Sequence, residues 1–163
     1  MESNTAPEYQ VYELLKKRQI TLTTAESATG GMIAATLVNV PGISEFFTEG
    51  YVTYSDEAKV KMIHVSPETI REFGVVSSET AADMANSAAK TAGTAAAVSV
   101  TGVAGPDGGT KECPVGRVFI GAVLDGKTVT RKFTFDGDRM QIRRQAVKEA
   151  LLLLIDMLQE GDL

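Results

Sequence analysis

Ser27 lies where a β-branched run hands over to an apolar, helix-forming segment, in "TLTTAESATGGMIAATLV" (Thr21 to Val38). A serine at such a junction can simply cap the helix. It can also be a nucleophile, because Gly30 and Gly31 would present bare backbone N–H groups at a helix start, where the dipole favours developing negative charge. Thr29, in the same turn, is counted with the two glycines as a candidate oxyanion or substrate contact. A nucleophilic serine needs a base, and the one histidine, His64, stands alone on an expected helix. That leaves no plausible Ser-His-Asp arrangement. Lysine can serve instead when burial or nearby cations lower its pKa. "YVTYSDEAKVK" offers Lys59 and Lys61, with Tyr54 just before them at the end of an expected strand. A tyrosine hydroxyl can relay a proton or hydrogen-bond the nucleophile. Read alone, the segment is equally a solvated helix with a rim aromatic. Glu26 is expected to orient the turn or Lys59 rather than act as the base.

A second feature is the loop "TGVAGPDGG", Thr101 to Gly109, with four glycines and a proline in nine residues. Such a loop can turn backbone amides toward a phosphate or sugar, and it can equally be an ordinary long connection. It lacks the Gly-Lys-Ser/Thr ending of a Walker loop and the spacing of a dinucleotide fingerprint. Arg139, behind a turn and at a helix start, can clamp an anion or lie on the surface. With Arg143 and Arg144 it forms the densest basic cluster of the chain.

These residues must be positioned by the elements around them. Val11, Leu14 and Leu15 fall at helical spacing between Pro7 and Arg18. A short strand over Ile20–Thr24 precedes a helix over Thr29–Val40, stopped by Pro41-Gly42. A strand over Glu49–Ser55 leads into a helix capped by Ser55 or Asp56. A short helix follows, with Ser66 as cap, Pro67 at its first position and Gly74 as its stop. An alanine-rich helix capped by Ser77 or Ser78 runs to about Gly93, and "AAAVSVTG" reads as a buried strand. "RVFIGAVL" and "TVTRKFTF" form a hairpin across Asp125-Gly126. Asp138 and Gln141 stand at capping-box spacing before the last helix, which carries Ile142, Ala146, Leu153 and Met157 on one face.

Interleaved strands and helices with a single hairpin predict an α/β fold, a mostly parallel sheet with helices on both faces and one antiparallel strand. In open sheets of this kind ligands gather at the carboxyl ends of the strands. Ser27, Tyr54 with Ser55, and the Thr101–Gly109 loop are expected to face one crevice on that rule.

The remaining composition excludes more than it selects. With 163 residues, 44% hydrophobic and 23% charged, the chain reads as one domain over residues 1–163, with a core from about 8 to 160. A net charge of −5 and the lack of a basic stripe argue against nucleic acid as partner. No window is apolar enough to span a membrane, and the polar, acidic start "MESNTAPEYQ" is unlike a secretory signal, so a cytoplasmic location is expected. Met1 to Ala6 are expected to lack order. One cysteine, Cys113, and one histidine offer no metal-ligand spacing, so neither metal nor cofactor is expected.

Taken in order, "TAESATGG", "VTYSDEAK", "GVVSSETA", "VTGVAGPDGG", "PVG" and "GDR" resemble the signatures of the CinA C-terminal domain family, the nicotinamide mononucleotide deamidases (amidohydrolases). The resemblance runs from about Thr21 to Leu158, and the chain is similar to the stand-alone form. It implies a three-layer α/β/α sandwich, homo-oligomers, no metal, and hydrolysis of the mononucleotide carboxamide to nicotinic acid mononucleotide and ammonia in pyridine-nucleotide recycling. The nucleophile of the "AES" motif falls on Ser27, and the tyrosine and lysine of "VTYS…EAK" fall on Tyr54 and Lys59; Lys61 is not at the family position. Carried further, amides at Gly30 and Gly31 would hold the oxyanion. Thr101, Gly102, Gly105 and the following glycines would contact the phosphoribosyl part, and Arg139 would neutralise phosphate. Two departures stand out: Ala28 where the family commonly has cysteine, and Cys113 where a lysine often precedes "PVG". Neither removes a proposed acid, base or nucleophile. Two other readings compete: a non-enzymatic nucleotide-binding or competence-linked interaction module, and an amidase for another small amide.

Overall fold

The computed structural model describes residues 5–160, so the expectation about Met1 to Ala6 falls largely outside the described residues. Five strands form one sheet: β1 (Leu22–Glu26), β2 (Phe47–Val52), β3 (Ala96–Gly102), β4 (Arg117–Leu124) and β5 (Lys127–Thr134), in spatial order β2-β1-β3-β4-β5. β1 pairs in parallel with β2 and β3, while β4 runs antiparallel to both β3 and β5. Four strands therefore point one way and β4 is the single reversed strand. β1, between β2 and β3, is buried along its whole length, as a strand covered on both faces must be.

Six helices cover the two faces: α1 (Pro7–Arg18), α2 (Met32–Leu37), α3 (Asp56–Ile63), α4 (Pro67–Phe73), α5 (Ser78–Ala92) and α6 (Arg139–Glu160). α1, α2 and α6 pack together on one face, where Val11, Leu15, Ile33, Leu37, Ile142, Leu151 and Leu154 meet Leu22, Val98 and Ile120 from the sheet. α5 covers the other face with Met84, Ala85 and Ala88 against Ala25, Ala97 and Val123, and α3 and α4 flank it. The alanines let α5 lie close: a Cβ on Gly121 would collide with the carbonyl of Ala81. The result is the three-layer α/β/α sandwich with a mixed sheet.

Most local signals read from the chain are realised as hydrogen bonds. Ser55 Oγ accepts from Ala58 N–H at the start of α3, and Ser77 Oγ accepts from Thr80 N–H at the start of α5, both at 3.1 Å. Asp138 and Gln141 exchange reciprocal 2.8 Å bonds ahead of α6. Ser66 precedes α4 but turns its hydroxyl to Glu68 instead of capping. The clearest departure is around the first strand. β1 runs two residues later than expected, to Glu26, and α2 begins only at Met32. Gly30 (φ 57°) and Gly31 (φ 101°) hold left-handed backbone that breaks a helix started at Thr29.

Candidate active site

The carboxyl ends of the parallel strands β1, β2 and β3 open on one cavity of about 310 Å³, as expected for this topology. Its wall includes Ser27 after β1, Tyr54 and Asp56 after β2, Lys59 from α3, and Thr101, Gly102, Gly105 and Asp107 from β3 and its loop. Arg139 from the start of α6 closes one side.

Ser27 is fixed by its backbone. Its N–H donates to the Val100 carbonyl at 3.0 Å, its carbonyl accepts from Gly30 N–H at 2.9 Å, and the preceding Glu26 carbonyl accepts from Thr53 N–H at 2.9 Å. The residue is 9% exposed. Its hydroxyl does not cap α2. That task falls to Glu26, whose buried carboxylate accepts from Thr29 Oγ1 (2.7 Å), Ile33 N–H (2.8 Å) and Ala34 N–H (3.0 Å). An anion at a helix start is satisfied there by unpaired amides and by the dipole. Ser27 Oγ is thereby left free to face the cavity.

Lys59 Nζ lies 3.2 Å from Ser27 Oγ, 2.8 Å from the Thr53 carbonyl and 3.5 Å from the Ser55 carbonyl. The lysine is 1% exposed, one of the largest fully buried side chains. Burial lowers its pKa because the cation loses water, and the Asp56 carboxylate partly opposes that shift. A neutral amine has two hydrogens and one lone pair. As an ammonium, Nζ donates to all three oxygens; as a neutral amine with its hydrogens on the two carbonyls, it would turn its lone pair to the serine hydroxyl. Such a pair can accept a proton from Ser27 while Ser27 attacks an electrophilic carbon. Lys61, its neighbour on α3, is exposed.

Tyr54 lines the same cavity but its hydroxyl is 2.9 Å from Arg139 Nη2, and the residue is 60% exposed at the rim. The guanidinium also donates from Nη1 to the Gly105 carbonyl at 2.6 Å. Arg139 thus bridges the β2–α3 connection and the glycine-rich loop. Thr101 is buried in the wall, with its hydroxyl donated to the Val75 carbonyl at 2.8 Å. Gly102 has no room for a side chain: a Cβ there would come within 2.8 Å of the Arg117 carbonyl.

The expectation for Gly30 and Gly31 as oxyanion donors does not fit this geometry. Gly30 N–H is engaged by the Ser27 carbonyl, and neither glycine nor Thr29 lines the cavity. They shape the turn instead. The amide nearest the role is that of Ala28, which follows the serine, lines the cavity and has no acceptor among the described residues. Residue-by-residue reading also missed the cavity-lining Asp107 and the reach of Arg143 to this turn; only the four-residue spacing of Arg143 from Arg139 hinted that both point one way. Among the described residues no group of three or more His, Cys, Asp or Glu is arranged to hold a metal, and no helix is long and apolar enough to cross a membrane.

The chain is similar to known proteins in sequence and in fold. A family model, "CinA C-terminal domain", matches residues 4–158. A curated relative from Clostridium acetobutylicum is 53% identical over 85% of this chain and 34% of its own length. A CinA-like protein of Kosmotoga olearia is 51% identical over 86% of this chain and 34% of its own. The chain thus spans about a third of the length of the curated relatives it matches. Among solved structures, a competence-damaged protein (CinA) superfamily protein of Klebsiella pneumoniae superposes with a TM-score of 0.90 at 34% identity, covering 94% of this chain and 96% of that one. The family match and the superposition agree, and the chain belongs to the CinA C-terminal domain family.

Proposed function

We propose that this protein is an amidohydrolase that converts nicotinamide mononucleotide to nicotinic acid mononucleotide and ammonia. The observation that carries the reading is the 3.2 Å approach of a buried lysine of lowered pKa to a cavity-lining serine. Ser27 Oγ attacks the carboxamide carbon as its proton passes to neutral Lys59. The oxyanion is held by the Ala28 amide, a donor whose loss typically costs about 3 kcal/mol of barrier. The Lys59 ammonium returns the proton to the leaving nitrogen, and ammonia departs from a nicotinoyl ester on Ser27. Water, deprotonated by Lys59, then frees the acid and restores the serine.

Recognition of the rest of the substrate is assigned to the opposite wall. Gly102 and Gly105 bring backbone close to the ligand, Thr101 fixes that strand end, and the Arg139 guanidinium faces the cavity as the partner for phosphate. Tyr54 is assigned to holding Arg139, since its hydroxyl meets that guanidinium and not Ser27. An ammonia assay with the purified protein tests the reading: release from the mononucleotide should vanish in Ser27→Ala and fall by orders of magnitude in Lys59→Ala, with both variants folded. Wild-type turnover in Ser27→Ala would refute it.

A further inference from the structure

Helix α6 opens with a charge pattern that its own electrostatics disfavour. Its first turn carries no acid beyond the Asp138 that precedes it, and Arg139 stands at the first helical position, where the helix dipole disfavours a cation. A local conflict of this kind points to a task elsewhere in the molecule. Arg139 has one, across the cavity. Arg143, one turn further along the same face, has another: its Nε donates to the Ala28 carbonyl and its Nη2 to the Thr29 carbonyl, both at 3.0 Å. These are the two carbonyls that directly follow Ser27, 114 and 115 residues away in the chain.

We propose that Arg143 is a positioning residue for the nucleophile, fixing the turn after Ser27 so that the hydroxyl stays on Lys59; this rests on the assignment of Ser27 as nucleophile. In a trans peptide the carbonyl and the N–H point to opposite sides. Drawing the Ala28 and Thr29 carbonyls to one guanidinium therefore sets the planes of both peptides and turns the Thr29 and Gly30 amides away from it. The Gly30 amide then closes on the Ser27 carbonyl, which completes the turn. A Cβ at Gly30 would meet Nη2 at 3.5 Å, an ordinary contact, so it is the left-handed backbone (φ 57°) and not the guanidinium that calls for glycine there. The planar fork is what the task requires: two donors at fixed spacing meet two successive carbonyls. A lysine offers one compact charge and cannot hold both planes. Glu26 secures the same turn from its other side through Thr29 and the first amides of α2. Arg143 ties the turn by hydrogen bonds to the helix that carries Arg139.

The test compares wild type, Arg143→Lys and Arg143→Ala in two measurements: ammonia release from nicotinamide mononucleotide, and covalent labelling of Ser27 by a fluorophosphonate. In the labelling step the serine oxygen bonds to phosphorus, fluoride leaves, and the hydroxyl proton passes to Lys59. The proposal expects both kcat and the labelling rate to fall about 100-fold in Arg143→Ala, the usual scale for a displaced reacting group. KM should stay close to that of wild type. Arg143→Lys should be impaired in the same sense, and millimolar guanidinium chloride should restore part of the Arg143→Ala rate where equal sodium chloride does not. Unchanged labelling and kcat in both variants would overturn the proposal. So would losses that follow a lowered melting temperature and ignore guanidinium. A wild-type protein that labels at Ser27 but releases no ammonia from the mononucleotide refutes the substrate while leaving Arg143 tested by labelling; one that does not label at Ser27 overturns both.

Discussion

Asp56 and Lys59 stand three residues apart on α3, both on the cavity wall, and their effects on the amine oppose each other: burial lowers the Lys59 pKa and the Asp56 carboxylate raises it. If Lys59 is the base, kcat/KM should rise with pH as the amine loses its proton. Removing the carboxylate removes the negative charge that favours the cation. Asp56→Asn should therefore lower the Lys59 pKa further and move the rising limb of the pH–kcat/KM profile to lower pH. A limb that stays in place or moves upward would separate that limb from Lys59.

The same burial has a consequence for stability. A lysine whose pKa is lower folded than unfolded binds fewer protons in the native state, so stability rises with pH between the folded value and the ordinary lysine value. Below that window the protein bears the full cost of a buried cation. Lys59→Met keeps the length of the side chain without the charge. We expect its melting temperature to exceed that of wild type, with the gap widest at low pH and shrinking as pH rises toward 10. Thermal melts across pH check the slope, and activity should be absent throughout.

Glu26 gives a third expectation. Its carboxylate accepts three hydrogen bonds and stands in for the side-chain cap that Gly31 cannot supply. Glu26→Ala leaves those donors without a partner in a buried site, at a cost on the order of 3 kcal/mol. Glu26→Gln keeps one oxygen and turns an amide NH2 toward the remaining donors, at about 1–2 kcal/mol. Urea unfolding of the two variants measures the order, with Ala the less stable.

What the chain revealed before folding divides along the range of the interactions. The caps Ser55, Ser77 and Asp138 with Gln141 each act within three residues, and all were legible. So was the hairpin of β4 and β5, because Asp125-Gly126 fits one tight turn. The start of α2 was misplaced because its cap comes from Glu26, on the strand before it, while the apolar pattern already begins near Thr29. The Ser27–Lys59 pair spans 32 residues, and residue types alone left it open; the ordered motifs narrowed it. Nothing local announces that Arg143 reaches Ala28, or that the Tyr54 hydroxyl turns to Arg139. Those directions are set by the sheet order, which brings the start of α6 over the end of β1.

The Tyr54–Arg139 contact separates two roles for the tyrosine. As a proton relay to Ser27, Tyr54→Phe would lower kcat by at least about 100-fold. As a holder of Arg139, it would act on binding: among the described residues the guanidinium hydrogen-bonds to the phenol oxygen and to the Gly105 carbonyl. We expect Tyr54→Phe to raise KM for the mononucleotide several-fold with kcat nearly kept, and Arg139→Ala to raise it more. The two losses should not add, since the phenylalanine acts only through the arginine. In an Arg139→Ala background, Tyr54→Phe should therefore leave KM unchanged. Nicotinamide riboside, which lacks the phosphate, should be insensitive to both substitutions. A fall in kcat that persists in the double variant would return the tyrosine to the proton path.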